Sequence, residues 1–239
     1  RPVIMLRNAL SVVGSERRFW KRTYWIGLAL MTLISLLSSR HAIAVSEYSR
    51  HALTFGFRRT AQRKVSVVHH GVDEIYLPPD GGTRNSYLLA VSDIYVQKNF
   101  HTLVHALAIA RKRCPDLRLK VAGRRIDEGY FKELTASIQL RGLENEIEFL
   151  GPLSKESLRQ YYCDCAVFVF PSTVETFGHP LVEAMASGAP VACSNQTAMP
   201  EILGEAGQYF DPLNPNEMAD AIVDIILEPG LAETLSERG

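Results

Sequence analysis

The chain has 239 residues, 46% hydrophobic and 22% charged, an ordinary balance for a globular protein with room for one large or two modest domains. Its 26 Lys and Arg match its 26 Asp and Glu, and a formal charge of zero argues against nucleic acid as a partner. Cys114, Cys163, Cys165 and Cys193 form no CxxC or CxxH spacing, so they read as reduced structural thiols of a cytosolic protein and no metal site is expected. In chain order, Pro2 to Leu6 reads as a strand, Arg18 to Ser38 as a helix and His41 to Ser46 as a strand. The stretch from Gly71 to Ser86, with Pro78-Pro79-Asp80-Gly81-Gly82, is the one good linker. From Ser86 onward strands alternate with helices over 99–113, 127–140, 155–163 and 216–227, the pattern of a parallel sheet with crossover helices. There is no repeat of fixed period and no low-complexity tract.

Within the first predicted helix, Tyr24 to Leu37 is almost wholly apolar, yet it falls short of the ~20 residues that cross a bilayer. Two readings stand open. One is a helix buried on a neighbouring sheet, which the length favours. The other is a helix lying in a membrane interface, because Arg17, Arg18, Lys21 and Arg22 precede the run together with Phe19 and Trp20.

The densest signal lies further on. Glu175-Thr-Phe-Gly-His-Pro-Leu-Val-Glu183 runs into Ala-Met-Ala-Ser-Gly188, two carboxylates with seven residues between them. Ala166-Val-Phe-Val-Phe170, just before, is a short apolar run ending at Pro171, as a buried parallel strand should be. Pro180 suits a first helical position and His179 its cap, with Glu183 in the first turn. Free N–H groups and the positive dipole end at such a helix start form an anion site, and Gly178 lets a diphosphate approach the backbone. A carboxylate beside a phosphate is better placed to accept hydrogen bonds from hydroxyls, on a ribose or a sugar. Together these point to a nucleotide-sugar.

The string, with Ala189-Pro-Val-Ala-Cys-Ser194 and Met199-Pro-Glu-Ile-Leu203 after it, resembles the retaining family 4 glycosyltransferases of GT-B fold. Further segments are similar to the same family. Val45 to Arg50 looks like the last strand and turn of its N-terminal domain, and Val65 to Asp73 like the interdomain crossover. Tyr87 to Ser92 followed by Lys98-Asn99 looks like the first strand-helix unit of the donor domain. Leu119 to Gly123 and Glu148 to Gly151 look like its next strand ends. The resemblance implies an α/β fold of two Rossmann-like domains: 1–72 as the remnant of the acceptor-side domain, 73–85 as linker and 86–239 as donor domain. Arg1 and Gly239 do not read as natural termini, so most of the acceptor-side domain is expected to lie outside this chain.

The activity implied is transfer of a hexosyl group from a nucleoside-diphosphate sugar, GDP-mannose leading, to an acceptor hydroxyl in polysaccharide or glycolipid synthesis. Retention of configuration is implied too. No Asp-x-Asp occurs, so neither a metal nor another cofactor is expected. Lys98 is assigned to the departing diphosphate and Glu175 to the transferred sugar or reacting face. Glu183 goes to the ribose hydroxyls; Phe177, Gly178, His179, Leu181, Ser92 and Gly123 complete the donor-binding set. Many relatives carry Arg where this chain has Ser92, and Arg124 or Arg125 is a weak substitute, since paired loop arginines are usually solvated. Plain alternatives are a solvated Lys98 and Glu175, a Glu183 that favours a helix start, and a Phe177 that only packs. His69, His70, His101 and His105 lack a metal arrangement, and the last two read as surface. Expected partners are the nucleotide-sugar and an unknown sugar or lipid-linked acceptor, with membrane contact through 17–37. The expected place is the cytoplasm or the inner face of its membrane. Rival functions are a nucleotide-sugar epimerase on the same fold and a binding or scaffold module without catalysis.

Overall fold

The computed structural model describes residues 3–6, 19–54, 63–78 and 85–239, and the chain divides into two compact units. The first comprises Arg1–Gly71 with Val174–Gly178; the second comprises Val72–Thr173 with His179–Gly239. Residues 79–84 of the expected linker, Arg17 and Arg18 lie outside the described residues.

In the first unit, β1 (Val3–Leu6), β2 (His41–Ala44) and β3 (Val65–Val67) form a parallel sheet in that order. The crossover from β1 to β2 carries α1 (Phe19–Ser38), which the apolar run predicts. The buried-helix reading holds for part of α1 only. Leu36 is buried with Ala42, Ala44 and Val65, but Ile26, Leu30, Met31, Ile34 and Leu37 are 45–66% exposed. The Lys64 ammonium donates to the Leu36 and Leu37 carbonyls, closing the C-terminal end of α1. The expected strand over His41–Ser46 ends at Ala44. Ser46 instead caps α2 (Glu47–Leu53) by accepting from the Ser49 N–H, so Val45 to Arg50 is a helix start and not a last strand. β3 follows it as a further strand.

The second unit is a doubly wound sheet. After a 3₁₀ turn at Glu74–Tyr76 come β4 (Tyr87–Val91), a 3₁₀ turn at Val96–Lys98, α3 (Phe100–Ala110), β5 (Arg118–Ala122), α4 (Glu128–Leu140) and β6 (Ile147–Gly151). Then follow α5 (Lys155–Asp164), β7 (Val167–Phe170), α6 (His179–Ala186), β8 (Val191–Ser194), α7 (Met199–Leu203), β9 (Gly207–Phe210), α8 (Pro215–Leu227) and α9 (Leu231–Arg238). All six strands are parallel, in the order β6-β5-β4-β7-β8-β9. Asp127, Ser154 and Asn214 supply side-chain caps to α4, α5 and α8, which fixes where those helices start.

The apolar runs sort by strand parity because successive side chains point to opposite faces. Leu88, Val167, Val169 and Ala192 face one cluster with residues of α3, α4, α8 and α9. Leu89, Phe168, Phe170, Val191 and Cys193 face the other, with Tyr76 and residues of α5, α6 and α7. Both faces are covered, as a parallel sheet requires.

Candidate functional site

The strand order reverses between β4 and β7: chain runs from β4 outward through β5 to β6, then returns to pair β7 against β4. Open α/β sheets bind ligands beyond the carboxyl ends of the two strands at such a switch point. Lys98 follows one of these strands and α6 with Glu183 follows the other.

Beyond β4 the chain is tightly fixed. Lys98 ends a 3₁₀ turn, with its ammonium 5.5 Å from the centre of the Tyr95 ring and 5.9 Å from that of Phe170. The next residue, Asn99, has φ +56, a left-handed conformation that Asn tolerates. Its amide donates to the carbonyls of Pro171 (3.1 Å) and Pro212 (2.6 Å) and accepts from the Thr102 hydroxyl (2.7 Å). Asn99 therefore joins the turn that carries Lys98 to the end of β7. Its side chain makes no cap of its own on α3, although the sequence places it inside that helix.

Ser92 donates its N–H to Ala122 O and its hydroxyl to Asp93 O. The Asp93 carboxylate accepts from three nitrogens of Arg124: the backbone N–H (3.0 Å), Nε (3.1 Å) and Nη2 (2.7 Å). The Arg124 guanidinium holds the Asp93 carboxyl below its usual range. Arg125 lies over the Phe131 ring at 4.1 Å. Both arginines are exposed, as expected of a loop pair, and in addition one is forked on a carboxylate and the other is stacked. Gly123 has φ +146, and a Cβ there would come within 2.0 Å of Ser92 O. Its N–H goes to Gly151 O. Gly123 brings the loops after β4 and β5 together, a packing role beside the donor-binding one expected.

On the β7 side, α6 begins at His179 itself, one residue earlier than its expected role as cap, with Pro180 next. Leu181 is fully buried, and its side chain packs in the core under α6. Glu183 is half-buried. Its Oε2 accepts from the Tyr162 hydroxyl at 3.1 Å, and the Tyr76 hydroxyl bonds to the same carboxylate. Burial raises the Glu183 carboxyl above its usual range; Tyr162, His179, Tyr76 and Lys155 pull it back. Between the ordinary and the raised value the folded chain holds the extra proton, so ionising Glu183 lowers stability as pH rises through that window.

The loop of the string itself clusters with the first unit. There Thr176 O accepts from the hydroxyls of Ser46 (2.6 Å) and Ser49 (3.0 Å). Phe177 is buried, its ring centre 5.0 Å from His70 and 5.9 Å from His69. Glu175 is half-buried, and Gly178 has φ +89. His101 is not the surface residue expected: its ring meets Tyr130 edge-on at 4.6 Å, and burial lowers its pKa.

The decisive comparison covers most of the second unit. The profile of the glycosyl transferases group 1 matches residues 81–239. The chain belongs to that family. Among curated members of similar sequence, the O-antigen chain mannosyltransferase B of Escherichia coli is 29% identical over 86% of this chain and 56% of its own length. The MMP alpha-(1->4)-mannosyltransferase of Mycolicibacterium hassiacum is 26% identical over 93% and 54%. This group 1 chain thus spans about half the length of the relatives it matches. Among solved structures, Anabaena Alr3699/HepE in complex with UDP and glucose superposes with a TM-score of 0.83 at 26% identity, over all of this chain and 65% of that one. Sucrose-phosphate synthase from Thermosynechococcus elongatus shares the fold, with a TM-score of 0.79 at 24% identity.

Sequence reading missed Tyr162 and Asp93, and quoted Asn99 beside Lys98 without its bridging role. Tyr162 had one signal, a tyrosine at an inward position of α5 that needs a partner for its hydroxyl. That partner stands 21 residues away and becomes visible only in the fold.

Proposed function

We propose that this chain carries the donor-binding part of a glycosyltransferase that moves a mannosyl group from GDP-mannose to an acceptor hydroxyl, with retention and without a metal. The observation that carries the proposal is the pair of elements at the switch point. Lys98 follows β4, and α6, which starts at His179 and carries Glu183 beyond its first turn, follows β7. A transition state with charge building on the diphosphate needs a cation and a helix N-terminus, and these elements supply both. Glu183 would take the ribose hydroxyls. By their places in the string, Glu175 would meet the transferred sugar and the backbone of Phe177 and Gly178 the diphosphate. The mannosyltransferases among the relatives support the sugar, and HepE with UDP supports a nucleoside diphosphate. Among the described residues no three His, Cys, Asp or Glu group as metal ligands would, and the proposed leaving-group cation is Lys98.

The test is calorimetric titration of the chain with GDP, UDP and ADP, with and without EDTA, beside Lys98→Ala and Glu183→Ala. The expected outcome is binding of GDP that EDTA leaves intact and each variant weakens tenfold or more. Folded protein that binds none of the three nucleotides, or variants that bind like the parent, would overturn the assignment.

The acceptor side is proposed to meet a membrane surface, with the exposed apolar residues of α1 as the contact. Among the described residues no helix is long and apolar enough to cross a membrane, so this contact would lie on the bilayer. Sedimentation with anionic phospholipid vesicles should carry the parent chain down and leave Met31→Gln/Ile34→Gln in solution. Equal sedimentation of the two removes this contact.

A further inference from the structure

Tyr162 is a hydroxyl in an apolar place. Its side chain is wholly buried among Tyr76, Phe168 and the underside of α6, with ring centres 6.0 Å from Tyr76 and 5.3 Å from Phe168. Burying a phenol O–H without a partner is costly, and a phenylalanine would fill the same space without that cost. The partner it has is Oε2 of Glu183. A buried hydroxyl donating to a half-buried carboxylate fixes the plane of that carboxylate and commits one oxygen, directing the remaining lone pairs elsewhere.

We infer that Tyr162 is a positioning residue: it orients Glu183 and keeps it an acceptor for the ribose hydroxyls of the donor. This rests on the assignment of Glu183 to the ribose and goes a step beyond it. The charge surroundings agree. Burial drives the Tyr162 pKa far above its usual value, so the hydroxyl stays a donor across the working range. A donor favours the ionised form of its acceptor and opposes the burial that favours the protonated form. The other groups that face Glu183 are Tyr76 from the 3₁₀ turn, Lys155 from α5 and His179 from its own helix. Asp73, which accepts from Lys155 at 2.8 Å, and Glu156 act on Lys155 and Tyr76.

The experiment compares two ligands, so that a role in folding alone does not mimic the effect. Binding of the nucleoside diphosphate found in the calorimetric series is measured against its 2′,3′-dideoxy form, for the parent chain, Tyr162→Phe and Glu183→Gln, from pH 5 to 8. The parent should prefer the ribose form by tenfold or more. Tyr162→Phe should narrow that preference at least threefold and leave the dideoxy affinity unchanged. Losing the donor raises the Glu183 pKa further, so the acid limb of ribose binding should move to higher pH. Tyr76→Phe, which keeps the buried hydroxyl of Tyr162, should narrow the preference less. If Tyr162→Phe weakens both ligands equally, or neither, Tyr162 only packs and the inference is wrong. Should Glu183→Gln leave the preference intact, the ribose assignment itself fails, and the role of Tyr162 falls with it.

Discussion

The two units of this chain use the same parallel-strand grammar with different completeness. In the second, six strands are covered on both faces, and residues at the centre of the sheet such as Leu88, Leu89, Val167 and Phe168 are wholly buried. Among the described residues of the first, three strands share a small buried cluster, while the helix beside them turns five large apolar side chains outward. Burial on both faces makes a strand indifferent to solvent and leaves its carboxyl end as the place where polar groups gather. That is where Lys98, Ser92 and Glu183 emerge. In the first unit the described residues define a framework and an apolar face, and two of its buried polar groups, Ser46 and Ser49, hold Thr176.

The sharpest way to test the contrast is to remove a side chain from the centre of the second unit. Phe168 is wholly buried on β7, stacked 5.9 Å from Phe170 and edge-on to Tyr162. Phe168→Ala should cost about 3–5 kcal/mol in chemical denaturation, the usual range for a phenylalanine removed from a core. A loss below about 1 kcal/mol would mean that the sheet is not closed on that face.

Gly123→Ala comes next. The added methyl meets the Ser92 carbonyl, which is backbone and cannot swing away, and the φ of +146 is strained for alanine. About 1–3 kcal/mol of stability should be lost. Because Ser92 and Asp93 must move, nucleotide affinity should fall as well. Unchanged stability would show that the loops after β4 and β5 do not meet as closely as the geometry has them.

Much of this was legible in the residues. Apolar runs such as Ala166 to Phe170 and turn signals placed nearly every element of the second unit, and the Glu175–Glu183 string reads as following the strand that the structure has as β7. Local chemistry carries that far. What stayed hidden depends on contacts between distant segments. Asn99 reads as one more helical residue until its amide is seen to reach carbonyls 72 and 113 positions away. Leu181 shares its string with the other proposed binding residues, and only the fold shows that its side chain is directed into the core. Val45 to Arg50 looks like a last strand and turn, yet the hydroxyl of Ser46 caps a helix there. Glycosyl transferases group 1 membership came through motif and spacing; the hydrogen bonds that tune the site came through the fold.

The smallest expected effect tests the other half of the comparison. Met31 and Ile34 are 66% and 65% exposed on α1, the apolar residues where the first unit departs most from an ordinary surface. If they face water or a partner rather than a core, Met31→Gln/Ile34→Gln should leave the unfolding free energy within about 0.5 kcal/mol of the parent. Glutamine is a good helix former, so propensity adds little of its own. A loss of about 2 kcal/mol or more would show that these side chains are buried in the folded chain. The first unit would then have a core of its own on that side, and the contrast between the two units would close.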